Sequence, residues 1–323
     1  MPGSRCSIAI VGPTACGKTS LAIAVAREIG GEIISTDSRQ AYRGFRVGTA
    51  APNDEELAAA PHHGVGILEP DERYGAGRFV EFAEATSRAI SGRGNVPILT
   101  GGTGLFLRAL THPMFCEPEV PARVRDGLRH WIEGAENAVV TRWAQRLDPT
   151  VDATSIDPQR AGRTVELALA SGRPLSWWIE HGEPSRVPFG GAVFLIETPS
   201  DLLRERIAKR ARGLLDSGAW EAEVRGLEIA GHQASRAFDA LGYRDVQALV
   251  HGRIDRATAY ERIFAATWAY ARRQRTWFRH QLPETAVRLD GATTTEHLSR
   301  RIRDKWRTST RLGPTHPNRR GTE

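Results

Sequence analysis

Lysine is nearly missing from this 323-residue chain. Lys18, Lys209 and Lys305 are its only three, so 41 of the 44 basic residues are arginine. Cysteine is as scarce. Cys6, Cys16 and Cys116 are odd in number and lack metal-ligand spacing, which argues against a disulfide scaffold or a zinc site and makes a reducing cytoplasm the expected compartment. No apolar run approaches the roughly 20 residues of a membrane-spanning helix. The N-terminal MPGSRCSIAIVG holds a short apolar strand but no secretory core.

What is present is ordinary globular composition, 40% hydrophobic and 25% charged, enough for one large or two modest domains. The formal charge of +6 says little by itself; its distribution says more. Residues 236–311 carry 16 Lys+Arg against 8 Asp+Glu, a net of +8, whereas the first 235 residues sum to −3. A polyanion is therefore expected at the C-terminal third. Arginine suits phosphate recognition through planar bidentate forks, and a GC-rich genome produces the same bias.

The run Ser7–Val11 reads as a buried strand that ends in a glycine-rich turn. From Lys18, the apolar residues Leu21, Ala24, Val25 and Ile29 keep helical spacing until Gly30-Gly31. Residues 32–35, 97–100, 192–196 and 286–290 predict further strands. Strands alternating with helices predict an α/β fold with a parallel sheet. Between 113 and 188 the strand signal disappears, and helices are expected around 120–131, 137–147 and 160–171. Later helices are expected at 200–216, 219–230, 255–279 and 294–307. The expected organisation is thus an α/β core in two parts, 1–112 and 189–307, a helical insertion at 113–188, and a disordered tail at 308–323.

Residues 12–19, GPTACGKT, satisfy G-x-x-x-x-G-K-[ST] between a predicted strand and a predicted helix. Gly12, Pro13, Thr14, Ala15, Cys16 and Gly17 form the turn. Its backbone N–H groups and the helix N-terminus favour phosphate oxygens. Lys18 reaches the terminal phosphate, and the Thr19 hydroxyl is a candidate Mg²⁺ ligand. Such a cradle fits nucleotide phosphates and equally a diphosphate on another carrier. Asp37 ends the second predicted strand, and ligands of parallel sheets bind outside the carboxyl ends of strands. A lone carboxylate there reads as a Mg²⁺ partner, a general base or a cap. Gly101–Gly104 reaches the same edge, with Thr103 offering a hydroxyl or merely closing a turn. Adjacent His62 and His63 point in different directions, which favours packing over metal binding.

Taken in order, GPTACGKT, STDSRQAYRG with VGTAAP, PHHGVGILEP, PILTGGTGLFLRAL, ALGYRDV and RRQRTWFR resemble the tRNA dimethylallyltransferases (tRNA isopentenyltransferases), from about residue 7 to 282. The resemblance implies a P-loop NTPase-like sheet with a tRNA-binding helical insertion, in a cytoplasmic monomer away from membranes. It implies Mg²⁺-dependent transfer of a dimethylallyl group from dimethylallyl diphosphate to N6 of the adenosine 3′-adjacent to the anticodon, within the tRNA anticodon stem-loop. Loop 12–19 then cradles an isoprenoid diphosphate, whose growing charge faces Lys18, Arg210 and Mg²⁺ at Thr19. Asp37 takes the N6 proton, and Thr103 lies near the reacting groups. Asp37, Ser38, Arg39 and Gln40 resemble the loop that meets the extruded adenosine. Gln159, Arg160 and Arg163 resemble one tRNA-contact segment, Asp239, Gly242, Tyr243 and Arg244 another, and Arg125 a further contact.

Arg272, Arg273, Arg275 and Arg279 lie among Tyr270, Trp277 and Phe278, a set that either binds RNA or, for the aromatics, belongs to the core. There are departures from the family pattern. Cys16 stands where serine is usual, which suggests an oxidation-sensitive thiol, and Phe106 replaces a common tyrosine. Ala51 replaces a lysine, and the insertion lacks one residue of the usual P-N-D-x-x-R pattern. Three rivals share parts of the pattern: a P-loop small-molecule kinase, an isopentenyltransferase acting on free adenine nucleotides, and an RNA-binding protein with a vestigial P-loop. The insertion and the basic third argue against the second, and intact Lys18, Thr19 and Asp37 against the third.

Overall fold

Strands buried on both faces are short, unbroken apolar runs, and the runs of this sequence assemble into one six-stranded sheet. The computed structural model describes residues 7–112, 115–116, 118–183 and 189–311. The strands are β1 (Ile8–Val11), β2 (Gly31–Ser35), β3 (His62–His63), β4 (Val96–Gly101), β5 (Ala192–Glu197) and β6 (Val287–Asp290). They lie in the order β3-β2-β4-β1-β5-β6, all parallel. Every predicted strand is present, and β3 is added at the edge.

The chain divides into two units. One runs up to Thr111 and resumes at Phe189; the other is His112–Pro188. The first unit holds α1 (Lys18–Ile29), α2 (Asp54–Ala59), α3 (Ala76–Gly92) and α4 (Gly104–Thr111). The second is helical: α5 (Ala122–Gly134), α6 (Asn137–Leu147), α7 (Pro158–Ser171) and α8 (Leu175–His181). The first unit then continues with α9 (Ser200–Asp216), α10 (Ala219–Ile229), α11 (Tyr243–Val250), α12 (Arg256–Gln281) and α13 (Thr295–Arg311). Helix α13 takes in residues 308–311, which the sequence assigns to a disordered tail; the Thr308 hydroxyl donates to the Asp304 carbonyl at 2.9 Å, one turn back. The rest of that tail, 312–323, lies outside the described residues.

Two cores hold the first unit together. Ile8, Ile10, Ile98, Phe194 and Ile196 of the sheet pack with Leu21 and Val25 of α1, Leu203 and Ile207 of α9, and Leu298 and Ile302 of α13. The second core lies beneath the loop after β2. Its Ala41, Tyr42 and Phe45 are buried with Trp220, Phe238, Tyr243 and Ile263 from the C-terminal helices. The polar-looking motif STDSRQAYRG is thus anchored by its own apolar residues. In the second unit, Val140 and Ala144 of α6 meet Ala161 and Val165 of α7. Asp157 caps α7 by accepting from the Arg160 N–H, with Pro158 in the first turn.

At the start of β2 a buried carboxylate pins the sheet edge. Glu32 accepts from Arg93 Nη2 at 2.8 Å and Asn95 Nδ2 at 2.8 Å, and lies 2.7 Å from His63 Nε2. His62 instead turns its Nδ1 to the Ala60 carbonyl at 2.8 Å. Hydrogen bonding from Arg93 above all holds the Glu32 carboxyl at about 2, against an ordinary 4.5. Because the folded value lies below the unfolded one, the stabilisation is complete above about pH 4.5 and disappears as the pH falls through 2. A Glu32→Gln variant should lose about 3 kcal/mol at pH 7. Urea unfolding at pH 7 and in acid checks this, with the gap to wild type closing toward pH 2.

Candidate active site

The sheet register brings three loops to one edge. Val11 pairs with Gly101 and with Leu195, and Ser35 pairs with Thr100. The segments that follow β1, β2 and β4 therefore emerge side by side. Strand β1 crosses over toward β2 on one side, whereas β5 leads to β6 on the other. The winding direction reverses between β1 and β5, which opens a crevice at the carboxyl ends of the strands.

The loop after β1 is tightly built. Gly17 adopts φ +92° as it opens α1, and Ala15 holds φ +62°, a left-handed conformation that costs a non-glycine residue about 1 kcal/mol or more. A Cβ on Gly12 would lie 2.8 Å from Cys16 Sγ and 3.0 Å from the Ile196 carbonyl oxygen, so only glycine fits there. Lys18 Nζ donates to the Pro13 carbonyl at 2.6 Å, curling over the loop from its own helix. Thr19 is half-buried in the first turn of α1. The Thr14 N–H donates to Gln274 Oε1 at 2.8 Å rather than facing the mouth of the loop.

Cys16 is buried, and burial pushes its thiol above the usual value despite the nearby Lys18 charge. A protonated, enclosed thiol is a poor nucleophile, so the oxidation-sensitive loop suggested by the sequence is corrected to a shielded one. Cys116, by contrast, is exposed. Iodoacetamide at pH 8 should label Cys116 well before Cys16, as peptide mass mapping over time will show.

The Asp37 loop is tied to the GGTG loop. The Ser38 N–H donates to Thr103 Oγ1 at 3.1 Å, and the Thr36 N–H to the Thr100 carbonyl at 2.7 Å. Asp37 is half-buried, and its Oδ1 accepts from the N–H groups of Arg39 (2.8 Å) and Gln40 (3.4 Å). One carboxylate oxygen thus caps the turn, so the cap reading of the sequence holds for Oδ1. Arg210 of α9 is half-buried; burial lowers its pKa, while the negative charges of Asp37 and Glu56 oppose that shift. Its charge therefore belongs to this corner of the site. Arg39 is exposed and donates to the Arg236 carbonyl at 3.1 Å.

Several residues assigned to RNA contact do other work. Gln40 Nε2 donates to the Ala50 carbonyl at 3.0 Å and its Oε1 accepts from Ser35 Oγ at 3.1 Å, so its side chain braces the loop internally. Tyr243 is fully buried, and its hydroxyl donates to Glu223 Oε1 at 2.6 Å. Glu223 in turn accepts from the Arg46 and Val47 N–H groups, so Tyr243 supports the loop after β2 from within. Gly242, at φ +89°, is pressed against Trp220. Asp239 and Arg244 are exposed and paired at 3.1 Å, with the guanidinium also over the Phe238 ring. In the second unit, Gln159 and Arg160 are exposed in the first turn of α7, with Arg160 3.2 Å from Asp157. Arg163 lies 3.5 Å from buried Glu166, which also takes Arg129 at 3.0 Å. That commits Arg163 to charge neutralisation. Arg125 Nη2 donates to the Pro118 carbonyl at 3.4 Å.

Helix α12 divides its aromatics. Phe278 is core, whereas Trp277 is half-buried against Gly104, where a Cβ would come within 2.7 Å of its ring. Arg272, Arg273 and Arg279 are exposed, and Arg275 donates to Ser200 Oγ. Phe106 is buried and stacked on Phe79 at 4.2 Å, so a hydroxyl there would meet the core. One residue that sequence reasoning does not assign to the site belongs to it. Gln274 bonds to both glycine-rich loops. Tyr270, one turn earlier, has its hydroxyl pushed up to about 12, by burial first and then by the Asp37 charge.

Among the described residues, no group of three His, Cys, Asp or Glu is placed to hold a metal. The donor set at the cradle is a single hydroxyl, Thr19. This fits a hard cation that takes most of its ligands from water and substrate phosphates, as Mg²⁺ does.

A parallel sheet whose central strand runs through a glycine-bracketed loop into a helix N-terminus, with a carboxylate and a hydroxyl on the same edge, defines an α/β protein of the phosphate-loop class. The chain belongs to the IPP transferase family: that family's model matches residues 40–281, and a model described as isopentenyl transferase matches residues 7–62. A tRNA dimethylallyltransferase of Desulfovibrio desulfuricans is 36% identical over 275 residues, covering 84% of each chain. One from Myxococcus xanthus is 39% identical over 277 residues, covering 84% of this chain and 89% of its own. The crystal structure of a tRNA delta(2)-isopentenylpyrophosphate transferase from Staphylococcus epidermidis has 31% identity and a TM-score of 0.66, covering 93% of this chain and 98% of that one. A eukaryotic dimethylallyltransferase, 20% identical with a TM-score of 0.79, shares the fold over 99% of this chain and 82% of its own.

Proposed function

We propose that this chain is a cytoplasmic, monomeric tRNA dimethylallyltransferase. It moves a dimethylallyl group from dimethylallyl diphosphate to N6 of the adenosine 3′-adjacent to the anticodon, and diphosphate leaves. The observation that carries the reading is the placing of the 12–19 loop, Asp37 and Thr103 on one sheet edge, with Asp37 and Thr103 joined through the Ser38 N–H. The family to which the chain belongs and the names of its relatives support the choice of substrates. Among the described residues, no helix is long and apolar enough to cross a membrane.

In this reading the allylic C1–O bond breaks as the C1–N6 bond forms, and negative charge grows on the departing diphosphate. Backbone N–H groups of the loop, Lys18 and Arg210 offset that charge where it develops. The Thr19 hydroxyl would hold Mg²⁺, which would supply further neutralisation of that charge. Asp37 accepts the proton that N6 gives up. The base must leave its stack to reach the site, and the exposed Arg39 at the turn is available to meet its flanks. Arg160, Arg244, Arg272, Arg273 and Arg279 are candidate phosphate contacts, exposed as such contacts need to be.

Nucleoside analysis tests the acceptor. After incubation with dimethylallyl diphosphate and Mg²⁺, unmodified tRNA should contain N6-dimethylallyladenosine, and a tRNA with guanosine at that position should not. Equal modification of both would refute the assigned acceptor.

A further inference from the structure

The Q-x-TWFR stretch contains a buried polar side chain that neither the phosphate cradle nor the proton transfer uses. Gln274 is 6% exposed. Its Oε1 accepts from the Thr14 N–H at 2.8 Å, and its Nε2 donates to the Gly102 carbonyl at 2.9 Å. A carboxamide has two donors and one acceptor oxygen, and here both ends are occupied by backbone groups of two different loops. The fit at Gly102 excludes any side chain, since a Cβ would come within 2.3 Å of Gln274 Nε2. Gln274 cannot shift to relieve such contacts. Ala271 and Phe278, one turn to either side along α12, are both locked in the interior.

We infer that Gln274 is a positioning residue, whose amide fixes the separation between the phosphate loop and the 101–104 loop. Through Gly102 it sets Thr103, and through the bond from the Ser38 N–H to Thr103 it sets Asp37. One rigid side chain thereby holds the half of the site that binds the leaving group against the half that receives the proton. The inference rests on the proposed prenyl transfer. Reacting groups must be held near 3–3.5 Å, and a displacement of about 1 Å costs roughly 10²-fold in rate.

The test compares wild type with Gln274→Leu and Gln274→Glu in single-turnover transfer to an anticodon stem-loop, from pH 6 to 8. The Leu variant should lose about 10²-fold in kcat at every pH, with KM for the RNA within about threefold. The Glu variant keeps the acceptor oxygen and regains a donor only when protonated, so its deficit should shrink steadily as the pH falls. Thermal unfolding midpoints show whether each variant is folded; should the Leu variant not fold, the isosteric Glu variant decides. Turnover within about threefold of wild type at pH 8 in either folded variant overturns the inference, as does a Glu deficit that ignores pH. Wild type that transfers nothing instead rejects the proposed function, so the two failures are distinct.

Discussion

Asp37→Asn is expected to lower the rate of dimethylallyl transfer by about 10² to 10⁴-fold, the usual contribution of a positioned general base. RNA affinity should change by less than about threefold. Asparagine is the informative replacement because Asp37 has two jobs. Its Oδ1 accepts from the Arg39 and Gln40 N–H groups, and the amide oxygen of Asn keeps those bonds and the shape of the turn. What Asn removes is the basic lone pair and the negative charge beside Arg210. Asp37→Ala would remove both jobs at once and confuse them. Rate and binding measured separately on the Asn variant show which job matters. A rate near wild type would mean that Asp37 is a cap and the base lies elsewhere.

Lys18→Met should have an effect of similar size in a different place. The Met side chain keeps the apolar stem and deletes the ammonium, which now reaches back over the loop to the Pro13 carbonyl. If that ammonium turns to the diphosphate, its loss removes charge stabilisation that develops during C–O cleavage, worth about 10² to 10³-fold in kcat for a single donor. Ground-state binding of the donor should weaken less than kcat falls, because the leaving group is most charged in the transition state. Steady-state kinetics with varied dimethylallyl diphosphate separate the two. A variant with raised KM and unchanged kcat would assign Lys18 to binding alone.

Much of this architecture is legible along the chain. The central strands β1 and β4 are apolar runs closed by glycine, and the edge rule for parallel sheets places Asp37 and Thr103 beside the phosphate loop without further information. Helices α9 and α12 carry their own periodicity. Helix α3 is harder to see, because it starts after Gly75 with no side-chain cap and no acidic residue in its first turn. Three residues read as RNA contacts have protein partners that the sequence does not show. Tyr243, Gln40 and Arg163 have polar tips in motif segments and read as ligand contacts, but their partners are protein groups that local sequence does not reveal. Glu223 lies in a different helix from Tyr243, and Glu166 is recognisable as buried only once α5 and α7 are packed. Gln274 is hidden for the same reason, since its two backbone partners are 260 and 172 residues away. The charge split along the chain survives in part: exposed Arg272, Arg273 and Arg279 supply basic surface on α12, whereas many other arginines are spent on internal carboxylates and carbonyls.

The most direct measurement follows the label. The protein is mixed with dimethylallyl diphosphate labelled in the prenyl group, Mg²⁺, and an anticodon stem-loop with adenosine 3′ to the anticodon, with AMP and ATP in parallel reactions. The account predicts label on the RNA, stoichiometric release of diphosphate, and none on AMP. Label on AMP but not on RNA, or phosphate transfer from ATP without prenyl transfer, would contradict it.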